Sequence, residues 1–254
     1  MSRYECVNYK EYGKENSKVM VLLHGGGLSW WNYREVAEKL QAEYRVILPV
    51  LDGHAGSDRD FMSLESNAED IIRFIDEKCG GSVFLIGGLS LGGQILLEIL
   101  AKRKDICKYA IVESALVIPS KLTHDMIKPA FGSCYGLIHY RWFAKLQFRS
   151  LRIKQDLFED YFRDSCKISK ENMITFLREN AVYSLKGSVA ESDAKIHIFV
   201  GEKENLAMRK SAAVIHERLD GSVLHVLPQM YHGGFSLNHP DGYVDEILKI
   251  VGKR

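Results

Sequence analysis

Short apolar runs recur along the chain, separated by longer amphipathic stretches. Val19–Leu23, Val46–Leu51, Val83–Ile86, Tyr109–Val112, Ile196–Val200 and Val223–Leu227 have the length of strands. They are rich in β-branched residues and lack strict alternation, which predicts a sheet covered on both faces. The stretches between them place apolar residues at helical spacing, predicting helices over Tyr33–Leu40, Ala68–Lys78, Gln94–Ala101, Ala212–Leu219 and Tyr243–Val251. In the second, Ile71, Ile72 and Ile75 share a face; in the third, Ile95, Leu96, Ile99 and Leu100 do. Strand followed by helix in regular succession predicts an α/β fold, a mostly parallel doubly wound sheet. Tyr4–Tyr12 is expected to add an antiparallel edge strand.

One segment breaks the rhythm. Residues 119–187 hold no convincing core strand but many aromatics, among them Phe131, Tyr140, Trp142, Phe148, Tyr161 and Phe176. Asp156–Arg163 and Lys170–Asn180 read as short helices, the second capped by Ser169. The segment is expected to form a helical cap, residues 119–187, on a core domain built from residues 1–118 and 188–254.

Composition narrows the class without naming a function. Lys and Arg total 34 against 33 for Asp and Glu, a net charge of +1, which favours neither nucleic acid nor an anionic membrane as partner. The five cysteines form no CxxC pair, so zinc ribbons and redox motifs are not indicated. Residues 1–18 are polar and lack the apolar core of a signal peptide, and no apolar run is long enough to span a bilayer. A cytoplasmic protein with reduced thiols is the expectation.

The strongest chemical signal is Gly88-Leu89-Ser90-Leu91-Gly92. GxSxG alone is a weak pattern, but here a predicted strand runs into it and a predicted helix runs out. A sharp strand-to-helix turn needs small residues around its apex. It lifts the Ser90 hydroxyl above the sheet, at a helix N-terminus that favours developing negative charge. The bland alternative is a glycine-rich turn with a capping serine.

With this elbow the chain resembles the α/β-hydrolase fold family, in its capped serine hydrolase form, over nearly its whole length. The resemblance implies roles for further motifs. His24-Gly25-Gly26-Gly27 follows a strand where the family places an oxyanion-hole turn. That assigns one amide to Gly26 and its partner to Leu91, with Gly25 and Gly27 as neighbours if the register shifts. Asp52-Gly53-His54-Ala55-Gly56-Ser57 resembles a supporting loop, so His54 is expected to be structural. His232, in Met230-Tyr231-His232-Gly233-Gly234 after the last strand, matches the general base. The acid is ambiguous. Glu204 in Gly201-Glu202-Lys203-Glu204 takes the usual position. Glu113, ending an apolar strand, takes the position used by haloalkane dehalogenases of the same fold. Asp193 is a more remote candidate. The order Ser90, acid, His232 is that of the family.

The implied function is hydrolysis of a small carboxylic ester or related acyl compound through an acyl-enzyme. No cofactor or metal is called for, and the expected partner is a small-molecule substrate. Arg141 and Trp142 of the cap are possible substrate contacts, set against a snorkelling arginine beside a core tryptophan. A carbon–carbon hydrolase or lyase on the same residues is the alternative chemistry, and a non-catalytic binding protein the alternative class. Epoxide hydrolases and haloalkane dehalogenases use an aspartate where Ser90 stands, which disfavours both. Oligomeric state is left open.

Overall fold

A computed structural model describes residues 7–253. Among the described residues, seven strands form one sheet: β1 (Tyr9–Tyr12), β2 (Val19–Leu23), β3 (Arg45–Pro49), β4 (Val83–Leu89), β5 (Cys107–Glu113), β6 (Lys195–Gly201) and β7 (Val223–Leu227). Their order is β1-β3-β2-β4-β5-β6-β7. β1 runs antiparallel to β3, with Tyr9 opposite Pro49, and every other pairing is parallel. The expected edge strand is thus present over Tyr9–Tyr12; residues 4–6 of the expectation lie outside the described residues.

The helices are α1 (Arg34–Leu40), α2 (Leu64–Cys79), α3 (Leu91–Lys102), α4 (Lys121–Cys134), α5 (Arg141–Leu151), α6 (Phe158–Ser165), α7 (Lys170–Val182), α8 (Leu206–Arg218), α9 (Gly234–Asn238) and α10 (Pro240–Ile250). All of β2 is buried, and its side chains divide by the period of two that a strand imposes. Val19, Val21 and Leu23 join a core that includes Ile75 of α2, Ile95 of α3 and Ile215 of α8. Met20 and Leu22 join the opposite core, with Ala37 of α1 and Ile247 of α10. Burial on both faces explains why the central strands read as continuous apolar runs; β7, at the sheet edge, departs from the expectation, with Val223 and Val226 exposed.

Strand β4 extends beyond its apolar core. β4 continues through Gly87 and Gly88 to Leu89, pairing with β2 and β5. A Cβ on Gly87 would stand 2.8 Å from Leu22 Cδ2, so the missing side chain keeps the neighbouring strand side chain in place. The segment between β5 and β6 is helical. α7 starts where expected, with Ser169 Oγ accepting from Asn172 N. Pro129 lies inside α4 and interrupts the helical signal in its sequence, and only Ile127 of this helix is buried. α4–α7 contribute to both cores, Phe176 of α7 to one and Phe148 of α5 to the other.

Candidate active site

The chain turns in opposite directions from β2: β3 lies on one side and β4 on the other. In open parallel sheets such a switch point opens a crevice at the carboxyl ends of the strands. The loop after β2 holds the His24–Gly27 turn, and the turn after β4 holds Ser90, so these two motifs flank the crevice.

Ser90 joins β4 to α3 with φ 53° and ψ −110°, a left-handed conformation uncommon for a residue with a side chain. Its amide donates to Glu113 O at 2.8 Å, fixing the turn to the end of β5. The turn closes only around glycine. A Cβ at Gly88 would meet Gly92 O at 2.3 Å, and one at Gly92 would meet Leu23 O at 2.2 Å. Ser90 is half-buried and its hydroxyl makes no capping bond to α3, so the capping-serine alternative finds no support in the geometry.

The three glycine amides after His24 have different fates. Gly25 N donates to Asn32 Oδ1 at 3.1 Å and Gly27 N donates to His54 Nε2 at 3.1 Å. Gly26 sits between them at the cavity wall, where a Cβ would come within 3.5 Å of Leu91 Cβ. Leu91 opens α3, and the first amides of a helix have no intrahelical acceptor. Gly26 and Leu91 are therefore neighbours, with the flanking amides of the turn tied elsewhere.

Two buried histidines hold this turn. Leu51 N donates to His24 Nε2 at 3.1 Å, so the ring proton is on Nδ1, which donates to Gly25 O at 2.9 Å. His54 likewise accepts from Gly27 through Nε2 and donates from Nδ1 to Asp52 O at 2.9 Å. Burial, with His54 nearby, pushes His24 down to about 3, and burial pushes His54 down to about 4. Both are neutral at ordinary pH. Phe176 of α7 stacks on His54 with ring centroids 4.7 Å apart, which ties the helical segment to the turn.

His232 and Glu204 meet across the loops that follow β7 and β6. A Cβ on Gly201 would stand 2.3 Å from Met230 O, so only glycine lets the two loops pass this closely. Lys203 N donates to Met230 O at 2.9 Å, joining them. Glu204 Oε2 lies 2.9 Å from His232 Nδ1, while Oε1 accepts from Ser114 Oγ and from Gly201 N, each at 2.7 Å. Burial opposes charge on Glu204, but His232, Gly201 and Ser114 together hold its carboxyl below the usual range. A charged carboxylate only accepts, so Nδ1 carries the ring proton and Nε2 is the basic nitrogen.

Ser90, Gly26, Glu204 and His232 line one cavity of about 300 Å³, whose apolar walls include Leu28, Leu89, Leu151, Ile153 and Leu237. Glu113 is fully buried behind it, its Oε1 accepting from Ser236 N at 3.2 Å, and makes no bond to His232. Asp193 lies elsewhere, its amide bonded to Lys104 O. The structure does not bring Arg141 or Trp142 to the cavity. Arg141 pairs with Glu159 at 2.6 Å and lies over the rings of Phe158 and Phe162, while Trp142 is exposed. Sequence reasoning missed Ser114, whose only signal is its place at the carboxyl end of a central strand. It also missed Arg152, Lys203 and Tyr231, which line the cavity from loops.

A magnesium-chelatase 30 kDa subunit from Rhodobacter capsulatus is 36% identical over 90 residues, 34% of this chain and 31% of that protein. Human epoxide hydrolase 4 is 25% identical over 201 residues, 72% of this chain and 53% of that protein. The chain thus spans about a third and about half the length of these curated relatives. Among solved structures, an esterase from Exiguobacterium antarcticum superposes with a TM-score of 0.82 at 20% identity, over 96% of this chain and 95% of that one, and so shares the fold. No helix among the described residues is long and apolar enough to cross a membrane. The sequence model of the alpha/beta hydrolase family matches residues 20–246, and the chain belongs to that family.

Proposed function

We propose that this protein is a serine hydrolase that cleaves a small carboxylic ester through an acyl-enzyme. The observation that carries the reading is the bond from His232 Nδ1 to Glu204 Oε2, at 2.9 Å, beside a cavity that Ser90 also lines. With Nδ1 committed to Glu204, Nε2 takes the proton of Ser90 as its oxygen attacks the ester carbonyl. The amides of Gly26 and Leu91 receive the oxyanion. His232 then returns the proton to the departing alcohol, leaving an acyl-serine. Water, deprotonated by the same nitrogen, releases the acid and restores Ser90. The helical segment of residues 119–187 serves as a cap, through the wall it supplies from Ser150 to Ile153 and the stacking of Phe176 on His54. An ester hydrolase fits better than an epoxide hydrolase because position 90 holds a hydroxyl nucleophile rather than a carboxylate.

A fluorophosphonate probe and 4-nitrophenyl esters test the reading together. Wild-type protein is expected to be labelled at Ser90 and to turn over short acyl esters. Ser90→Ala is expected to lose labelling and several orders of magnitude in kcat while keeping its circular dichroism spectrum and Tm. A protein that binds esters without labelling or turnover would be a binding protein. Turnover of vinylogous diketones in preference to esters would move the chemistry to carbon–carbon cleavage.

A further inference from the structure

The cavity has apolar walls and a cationic rim. Arg152 closes α5 and Lys203 sits in the loop after β6; both are exposed and both line the cavity. Their charges converge on one side chain. The Arg152 guanidinium carbon is 4.1 Å, and Lys203 Nζ 5.6 Å, from the centre of the Tyr231 ring. No carboxylate among the described residues pairs with either. Other cations of this segment do find partners: Arg141, at the far end of α5, holds Glu159, and Lys154 holds Glu35. Glu204, the acid of the cavity, is fully committed to His232, Ser114 and Gly201. Tyr231 favours a cation at its face but cannot neutralise two of them.

Arg152 is also held in place. Its φ of 56° is left-handed, which is uncommon for a residue with a side chain. Asn238, at the end of α9, clamps the backbone on both sides: its Nδ2 donates to Arg152 O and its Oδ1 accepts from Lys154 N, each at 2.8 Å. Because α9 begins two residues after His232, at Gly234, the clamp links the cation to the loop that carries the base.

We propose that the substrate is an ester bearing a carboxylate, received at the rim by Arg152 and Lys203 while its apolar body fills the cavity. This rests on the serine-hydrolase reading above. The guanidinium presents paired N–H groups that match a carboxylate, the ammonium adds a second charge, and the leucine and isoleucine walls suit the chain between carboxylate and ester.

The test compares mono-4-nitrophenyl adipate with its methyl ester, reading 4-nitrophenolate release above the uncatalysed rate. The free acid is expected to exceed the methyl ester about tenfold in kcat/KM, mostly through KM, and the advantage should shrink at high salt. In the double variant Arg152→Gln, Lys203→Gln the ratio of the two substrates falls to near one. Free adipate is also expected to slow fluorophosphonate labelling of Ser90 in the wild type and not in the double variant, a readout that needs no turnover. If the double variant does not fold, Lys203→Gln alone carries the comparison, since Lys203 is exposed in a loop. A wild-type ratio near one, an unchanged ratio in the variant, or stronger protection by inorganic phosphate than by adipate overturns the proposal. Failure of Ser90 to label, with neither ester cleaved, strikes the hydrolase reading instead.

Discussion

Two carboxylates are buried at the ends of neighbouring strands, and their surroundings make them opposites. Glu204 follows β6 and has both oxygens engaged, one by Ser114 Oγ and Gly201 N and the other by His232. Those partners overcome the cost of burial and hold the carboxyl below its usual range. Glu113 ends β5, fully buried, with one long bond from Ser236 N. No donor among the described residues reaches its Oε2. Burial therefore pushes it up to about 7, and the charge of Glu204 pushes in the same direction. Burial sets a cost for charge, and the donors decide which form wins. A carboxylate that must stay anionic to fix an imidazole tautomer has to be surrounded by N–H and O–H groups, and only Glu204 is.

The largest effect that can break this comparison is on turnover. Glu204→Gln is expected to lower kcat by about three to four orders of magnitude, because the neutral amide neither fixes the tautomer nor stabilises imidazolium. KM for the same ester should stay within a few-fold. If Glu113→Gln took that loss while Glu204→Gln stayed active, the two carboxylates would have to exchange roles. The next effect is smaller and comes from Ser114, whose φ of 54° aims its hydroxyl at Glu204. A hydrogen bond to a charged acceptor contributes about 1.5–3 kcal/mol, part of which water can restore. Ser114→Ala is therefore expected to cost roughly tenfold in kcat, with KM unchanged; no loss in kcat would show that Gly201 N alone suffices.

How much of this could be read beforehand follows from sequence separation. The run Val19–Leu23 coincides with β2, because burial on both faces writes itself into contiguous residues; Val223–Leu227 coincides with β7 on its β-branched and apolar content alone, since this edge strand is partly exposed. The turn around Ser90 is equally local: Gly88 and Gly92 are glycine because of atoms within the motif or in the adjacent strand. The distinction between Glu113 and Glu204 is not local. It rests on Ser114, 90 residues before Glu204, and on a backbone turn at Gly201 that lets two loops pass. Pattern also cannot say which face of a surface helix turns inward. Arg141 and Trp142 begin α5 and face away from the cavity, while its far end, through Leu151 and Arg152, forms the wall.

The smallest rate effect belongs to Glu113, and it carries the clearest dependence on pH. Its folded value of about 7 lies above the ordinary 4.5, so the protein favours the protonated acid. The stability this supplies is fully present below about 4.5 and is lost as pH rises through about 7, on the order of 3 kcal/mol across that window. Glu204 behaves with the opposite sign: its contribution is present above the ordinary value and is lost as pH falls below it, outside the window. Glu113→Gln keeps the shape, cannot ionise, and so removes the slope. Its Tm relative to wild type is expected to rise from pH 5 to pH 7.5, by roughly 2–4 °C per kcal/mol in a domain of this size. Turnover at pH 7.5 should stay within about threefold of wild type, since Glu113 makes no bond to His232. Thermal melts of both proteins across the pH series decide it. A Tm difference that does not change with pH would mean that Glu113 is already ionised in the fold and paired, and the contrast with Glu204 would then rest on their bonds to His232 alone.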